Sequence, residues 1–113
     1  MDEIFAFLSD IEKVVYIWLT NHKIPFNMQQ RFGTYREVGS ATVDFILPES
    51  NIALRIMGRY WHTGLEMEGR DAMGKEILAQ MGYIVVDLWE ETLQPYRLDD
   101  TMQHAIKGEE VIV

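Results

Sequence analysis

Apolar residues recur along this chain with two periods, and the switches between them lay out a helix, a hairpin, a second helix and a further strand. Ile11, Val14, Val15 and Trp18 fall at the spacing of one helical face, which predicts a helix over Ile11–Asn21. Ser9 and Glu12 stand in the S-x-x-E pattern of a capping box, which satisfies two orphan amides of the first turn. Pro25 stops any continuation. Phe26–Phe32 reads as a short strand and Gly33–Ser40 as a loop. From Thr42 to Leu47 the period falls to two, with Val43, Phe45 and Leu47 on one face and Thr42, Asp44 and Ile46 on the other. The turn Pro48-Glu49-Ser50-Asn51 leads into a second strand, Ile52–Met57. With Leu47 opposite Ile52, this hairpin sets Asp44 opposite Arg55.

Beyond the hairpin, Gly58–Gly69 reads as a glycine-rich loop. Met73, Ile77 and Met81 return to four-residue spacing and predict a helix over Ala72–Met81, with Asp71 as its N-cap and Gly82 just past its end. Tyr83–Leu88 is a near-continuous apolar strand. Strand, helix, strand implies a right-handed crossover and parallel pairing. One more helix is expected near Leu98–Ile106. The fold class is α/β, a small mixed sheet flanked by helices, in one domain spanning residues 1–113.

Composition narrows the setting. The chain has 113 residues, 48% hydrophobic and 12% aromatic, enough to build a core and to exclude disorder. It has no cysteine, which excludes disulfides and thiolate metal sites and points to a reducing cytoplasm. No apolar run approaches the roughly 18 residues that span a bilayer. The formal net charge of −8 opposes any partner built on phosphate unless a local basic face or a second module supplies the attraction. Arg31, Arg36, Arg55, Arg59, Arg70 and Lys75 gather in the middle of the chain, with much of the acidic surplus at its two ends.

Four residues carry candidate chemistry. Asp44 stands in an apolar strand, where a carboxylate is costly unless it is paired, solvated or bound to a cation. His62 ends the segment Gly58-Arg59-Tyr60-Trp61-His62; a neutral imidazole there can accept a proton from water, and an exposed loop histidine is the plainer alternative. Glu12 and Asp71 each have a structural role as helix-capping residues beside any catalytic one. Tyr60 and Trp61 are either core aromatics or wedges against bases. The chain holds no phosphate-binding glycine loop, no dinucleotide fingerprint and no H-E-x-x-H pair.

Taken in order, Asp44-Phe45, the run Gly58–His62, Gly69-Arg70-Asp71 and the run Met81–Glu90 resemble the very-short-patch-repair (Vsr) endonucleases over residues 9 to 93. The same residues resemble the EDxHD-type homing endonuclease domains, whose letters fall on Glu12, Asp44, Ile56, His62 and Asp71. Both belong to the PD-(D/E)xK, restriction-endonuclease-like superfamily. The resemblance implies a Mg²⁺-dependent DNA endonuclease, with Mn²⁺ as a substitute metal. Asp44 and the Ile56 carbonyl hold the metal, His62 deprotonates the attacking water, Asp71 orients His62 or a coordinated water, and Glu12 completes the acidic cluster. Arg55, Arg59, Tyr60 and Trp61 contact double-stranded DNA. The sequence departs from the pattern at Arg55, which replaces the second acid of the wider superfamily, and at Met57, where the mismatch-repair enzymes carry a histidine. Without cysteines their zinc site is absent too. The implied enzyme is therefore homing-endonuclease-like or a mobile-element nuclease, acting as a homo-oligomer or with a fused or associated recognition module. The alternative is a catalytically inactive binding or structural module on the same fold.

Overall fold

The computed structural model describes residue 6 and residues 8–32, 41–57 and 65–111 of the chain. Along them run α1 (Asp10–Asn21), β1 (Asn27–Phe32), β2 (Ala41–Leu47), β3 (Ile52–Met57), α2 (Leu65–Gln80), β4 (Ile84–Trp89) and α3 (Leu98–Ala105). A short 3-10 helix, Glu90–Leu93, joins β4 to the segment before α3 and is an element the sequence pattern does not announce. The four strands form one mixed sheet in the order β1-β2-β3-β4. β1, β2 and β3 are an antiparallel meander, and β4 lies parallel to β3. The fold is thus a small mixed α/β domain. No helix among the described residues is long and apolar enough to cross a membrane.

The expected register holds at the turn, with Leu47 opposite Ile52 and Phe45 opposite Leu54. Asn51 adopts a positive φ of 55°, a conformation asparagine tolerates, and closes the hairpin. Helix α1 starts as its signals predict: the Ser9 hydroxyl accepts the Glu12 amide at 3.3 Å, and the Glu12 carboxylate accepts the Ser9 amide at 3.0 Å. Helix α2 starts earlier than predicted. Leu65, Glu66, Met67 and Glu68 are strong helix formers, and they carry the helix through Gly69, so Asp71 lies inside α2 and is not its N-cap. Its end is as expected. Gly82, at φ 95°, follows the last turn, and Gly82 and Tyr83 return hydrogen bonds to Ala79 and Leu78.

Two apolar layers cover the sheet. On one face Val15 and Leu19 of α1 and Met102 and Ala105 of α3 pack on Phe45, Leu54, Val86 and Leu88. On the other, Leu78 of α2 packs with Val43, Ile46 and Ala53. Among the residues of α2 whose burial is described, Gly74 and Leu78 are buried, while Met73 and, just past the helix, Met81 are exposed. The predicted strand Tyr83–Leu88 is found one residue later, as an edge strand whose first residue, Ile84, is exposed.

The faces of β2 differ from the simple alternation. Val43 lies with Ile46 on the α2 side, whereas Phe45 lies on the α1 side. Asp44 also reaches the α1 side, where its side chain meets Glu12. Two consecutive residues, Asp44 and Phe45, thus address the same layer. The alternation that runs from Val43 to Asp44 is thus interrupted between Asp44 and Phe45, while the pairing with β1 keeps one register across both.

Candidate active site

Asp44 and Glu12 come together from two elements that the sequence positions by independent means. Glu12 is fixed by the capping box at the start of α1. Asp44 is fixed by the sheet, where its carboxylate accepts the backbone amide of Ile56 in β3 at 2.8 Å. The pair faces the layer under α1, and Asp44 is half-buried there.

Burial pushes the Asp44 carboxyl from its ordinary value of 3.8 up to about 6. The hydrogen bond from the Ile56 amide opposes this. The negative charge of Glu12 and the hydrogen bond it shares with Asp44 reinforce it, and Arg55 exerts only a small opposing pull. A hydrogen bond between two carboxyl groups requires a proton on one of them. Burial and the adjacent Glu12 charge thus favour the protonated form of Asp44, and two carboxyl groups set together in this way are suited to receive either a proton or a hard cation.

The donor set fits Mg²⁺. This ion favours oxygen ligands, retains several waters and is commonly held by only one or two carboxylates together with substrate phosphates. Asp44 and Glu12 supply two such carboxylates, and the Ile56 backbone lies against the first of them. Among the described residues no group of three or more His, Cys, Asp or Glu side chains gathers to hold a metal ion.

Arg55 corrects the sequence reading. The expected antiparallel pairing would set it facing Asp44. Instead its side chain lies on the α2 face, where its guanidinium is bidentate to Asp87 at 2.7 and 3.0 Å. Both residues are buried, Arg55 at 6% and Asp87 at 5% exposure, and they are direct partners in the parallel β3–β4 ladder. The same parity that aligns their side chains takes them away from the Asp44 layer. Arg55 is thus an interior ion-pair partner, and this burial leaves no exposed guanidinium for the DNA contact expected of it.

The other expected site residues stand as follows. Asp71 lies in α2, and its side chain is outside the described atoms. Arg59, Tyr60, Trp61 and His62 lie outside the described residues. The described structure therefore brings together Glu12, Asp44 and Ile56 of the expected set.

Sequence reasoning missed the role of Asp87 and its network. Lys75 of α2 comes to 3.7 Å from both Asp87 and Glu110, and Glu110 accepts the Asp87 amide at 2.8 Å. A signal for the central pair was present. Leu54-Arg55-Ile56 and Val86-Asp87-Leu88 place opposite charges at the middle of two apolar strands, and such charges are rarely buried unless paired. His22, outside any expected site, stacks on Trp18 at 3.7 Å between ring centroids and holds the end of α1 with its Nδ1 2.9 Å from the Trp18 carbonyl. No protein-family model matches this chain, and no curated protein matches it either.

Proposed function

We propose that this domain is a Mg²⁺-dependent DNA endonuclease of the Vsr-like, EDxHD type within the restriction-endonuclease-like superfamily. One observation carries the reading: the Asp44 carboxyl meets Glu12 from α1, with the Ile56 backbone alongside. A purely structural strand would keep an apolar residue at this place, because burying a carboxylate beside a second one is unfavourable. The element order and the small mixed sheet flanked by helices accord with the resemblance.

When bound, Mg²⁺ supplies polarisation of the scissile phosphate and neutralises developing charge. Asp44 and Glu12 hold it, and the Ile56 amide keeps the Asp44 carboxylate aimed. His62 takes the proton of the attacking water and Asp71 orients that imidazole. Arg59 contacts phosphate, and Tyr60 and Trp61 press on the bases. A second copy or a recognition module supplies the basic surface that a chain of net charge −8 needs. The absence of cysteine accords with action in the cytoplasm.

The test is nicking of supercoiled plasmid by the purified chain with and without millimolar Mg²⁺. Asp44→Asn should abolish cleavage, and His62→Ala should lower it by about 10²–10⁴-fold. A second reading, an inactive module on the same fold, is favoured by Arg55 standing where the superfamily has its second acid. A wild-type protein that binds duplex DNA yet never cuts it with Mg²⁺ or Mn²⁺ would establish that second reading.

A further inference from the structure

We infer that the outer edge of β1, with the groove beside it, is a docking site for an extended acidic peptide segment of a partner protein. The two edges of the sheet differ. At β4 the Glu110 side chain takes the Asp87 amide, so the segment after α3 occupies part of that edge. β1 ends the strand order on the other side, and among the described residues no strand pairs with its outer edge. Such an edge offers backbone donors and acceptors to an added strand.

A groove of about 560 Å³ opens between the C-terminal half of α1 and the start of β1, lined in part by Tyr16, Thr20, Lys23, Ile24, Phe26 and Met28. Its aromatic floor is firmly set. The Phe26 ring stands edge-on to Tyr16 at 5.2 Å and to Phe45 at 5.6 Å. Phe26 and Met28 pack toward the α1 layer. A strand added along β1 sends alternate side chains to that same layer, so every second residue of the incoming segment meets the groove. This alternation calls for apolar residues at those positions.

Charge selects the remaining ones. Lys23 is the sole charged side chain among the described residues lining the groove, and it is exposed. Its backbone is held at φ 56°, with Lys23 and Ile24 returning hydrogen bonds to Thr20 and Leu19. Glycine is the usual residue at this position, because a Cβ crowds the left-handed conformation. The equivalent place after α2 is Gly82. Lys23 thus sets a positive charge at the lip of an apolar groove, on a backbone conformation that glycine would suit better. In a chain of net charge −8 it is a local attraction for carboxylates. This inference stands apart from the nuclease reading.

The probe is an N-acetylated hexapeptide alternating valine and glutamate, added to the full ¹⁵N-labelled chain. Saturable amide shifts should be confined to residues 16–32. Lys23→Gly should raise the melting temperature and weaken binding about fivefold, the worth of one exposed ion pair. The difference should fade in about 0.5 M salt. A hexapeptide alternating valine and lysine, or one with a central proline that cannot donate to the edge, should bind far less well. Shifts that are absent at millimolar peptide or lie elsewhere, equal binding of the proline peptide, or unchanged affinity in Lys23→Gly would each overturn the proposal. So would a dimer whose β1 amides are protected from exchange, because a second copy would then own the edge.

Discussion

Two aspartates, Asp87 buried and Asp44 half-buried, sit on opposite faces of one four-stranded sheet, and they are treated in opposite ways. Asp87 meets both arms of the Arg55 guanidinium, has Lys75 nearby, and lends its amide to Glu110. Asp44 receives one amide, from Ile56, and faces a second carboxylate, Glu12. The first arrangement is complete within the protein. The second sets one carboxyl beside another, and the Asp44 carboxyl is pushed up to about 6. A carboxylate matched to a fixed cation is architecture. A carboxylate held against another one persists when the fold over-determines it, and such places cluster at sites that bind or react.

The largest effect expected from breaking this contrast is at Arg55. Arg55→Met leaves Asp87 buried without its main partner and should destabilise the domain by about 3–5 kcal/mol. The double change Arg55→Met/Asp87→Leu removes the stranded charge and should recover most of that loss. Urea unfolding of the three proteins measures it. A single-variant loss below about 1 kcal/mol would mean that Asp87 is compensated by Lys75 or by protonation.

Asp44 should behave in the reverse sense. Its folded carboxyl is raised above the ordinary 3.8, so the folded state holds the proton more tightly than the unfolded chain does. The resulting stability is present below about pH 4 and is lost as pH rises through about 6. Above that window the ionised carboxylate costs about 3 kcal/mol. Asp44→Asn removes the titration while its side-chain oxygen can still accept the Ile56 amide. It should therefore be more stable than wild type at pH 8 by up to this amount and nearly equal to it at pH 4. Millimolar Mg²⁺ should narrow the gap at pH 8 by stabilising wild type alone. Equal stabilities of the two proteins across that whole range would remove the contrast.

Much of this architecture is legible in the residues. The capping box at Ser9, the hairpin register at Leu47 and Ile52, and the Gly82 stop are local signals, and each is found as read. What the pattern does not disclose is non-local. The start of α2 depends on good helix formers overriding a plausible cap at Asp71. The placing of Val43 and Phe45 in different layers is an interruption that no period-two reading contains, and the meeting of Asp44 with Glu12 depends on how α1 lies on the sheet. The partner of Arg55 depends on β4, which is parallel and 32 residues away, whereas the hairpin offered a nearer and misleading opposite in Asp44. Of the expected site, Glu12, Asp44 and Ile56 converge because a cap, a strand and a turn register fix them independently.

A smaller effect is expected at Glu12. Glutamine at this position keeps the capping box, because its amide oxygen can still accept the Ser9 amide. It removes the charge that faces Asp44. The Asp44 carboxyl should therefore titrate lower in Glu12→Gln than in wild type, yet stay above 3.8, because burial is the largest cause of the shift and remains. Side-chain carboxyl NMR against pH reads this directly. An unmoved titration would show that the two carboxyl groups do not act as a pair.

The smallest effect sharpens the Asp87 side of the comparison. Lys75 lies 3.7 Å from Asp87 and from Glu110, but its side chain is 46% exposed. An ammonium that accessible is strongly screened, and exposed pairs are generally worth about 0–1 kcal/mol. Lys75→Met keeps the aliphatic stem over the cluster and should cost less than about 1 kcal/mol, with the loss shrinking further in about 1 M salt. The bidentate Arg55 contact should answer differently, because water and ions do not reach it and its loss should persist at the same salt concentration. If Lys75→Met proved as damaging as Arg55→Met, the neutralisation of Asp87 would be shared between two cations, and the internal completeness that separates it from Asp44 would rest on the helix α2 as much as on the sheet.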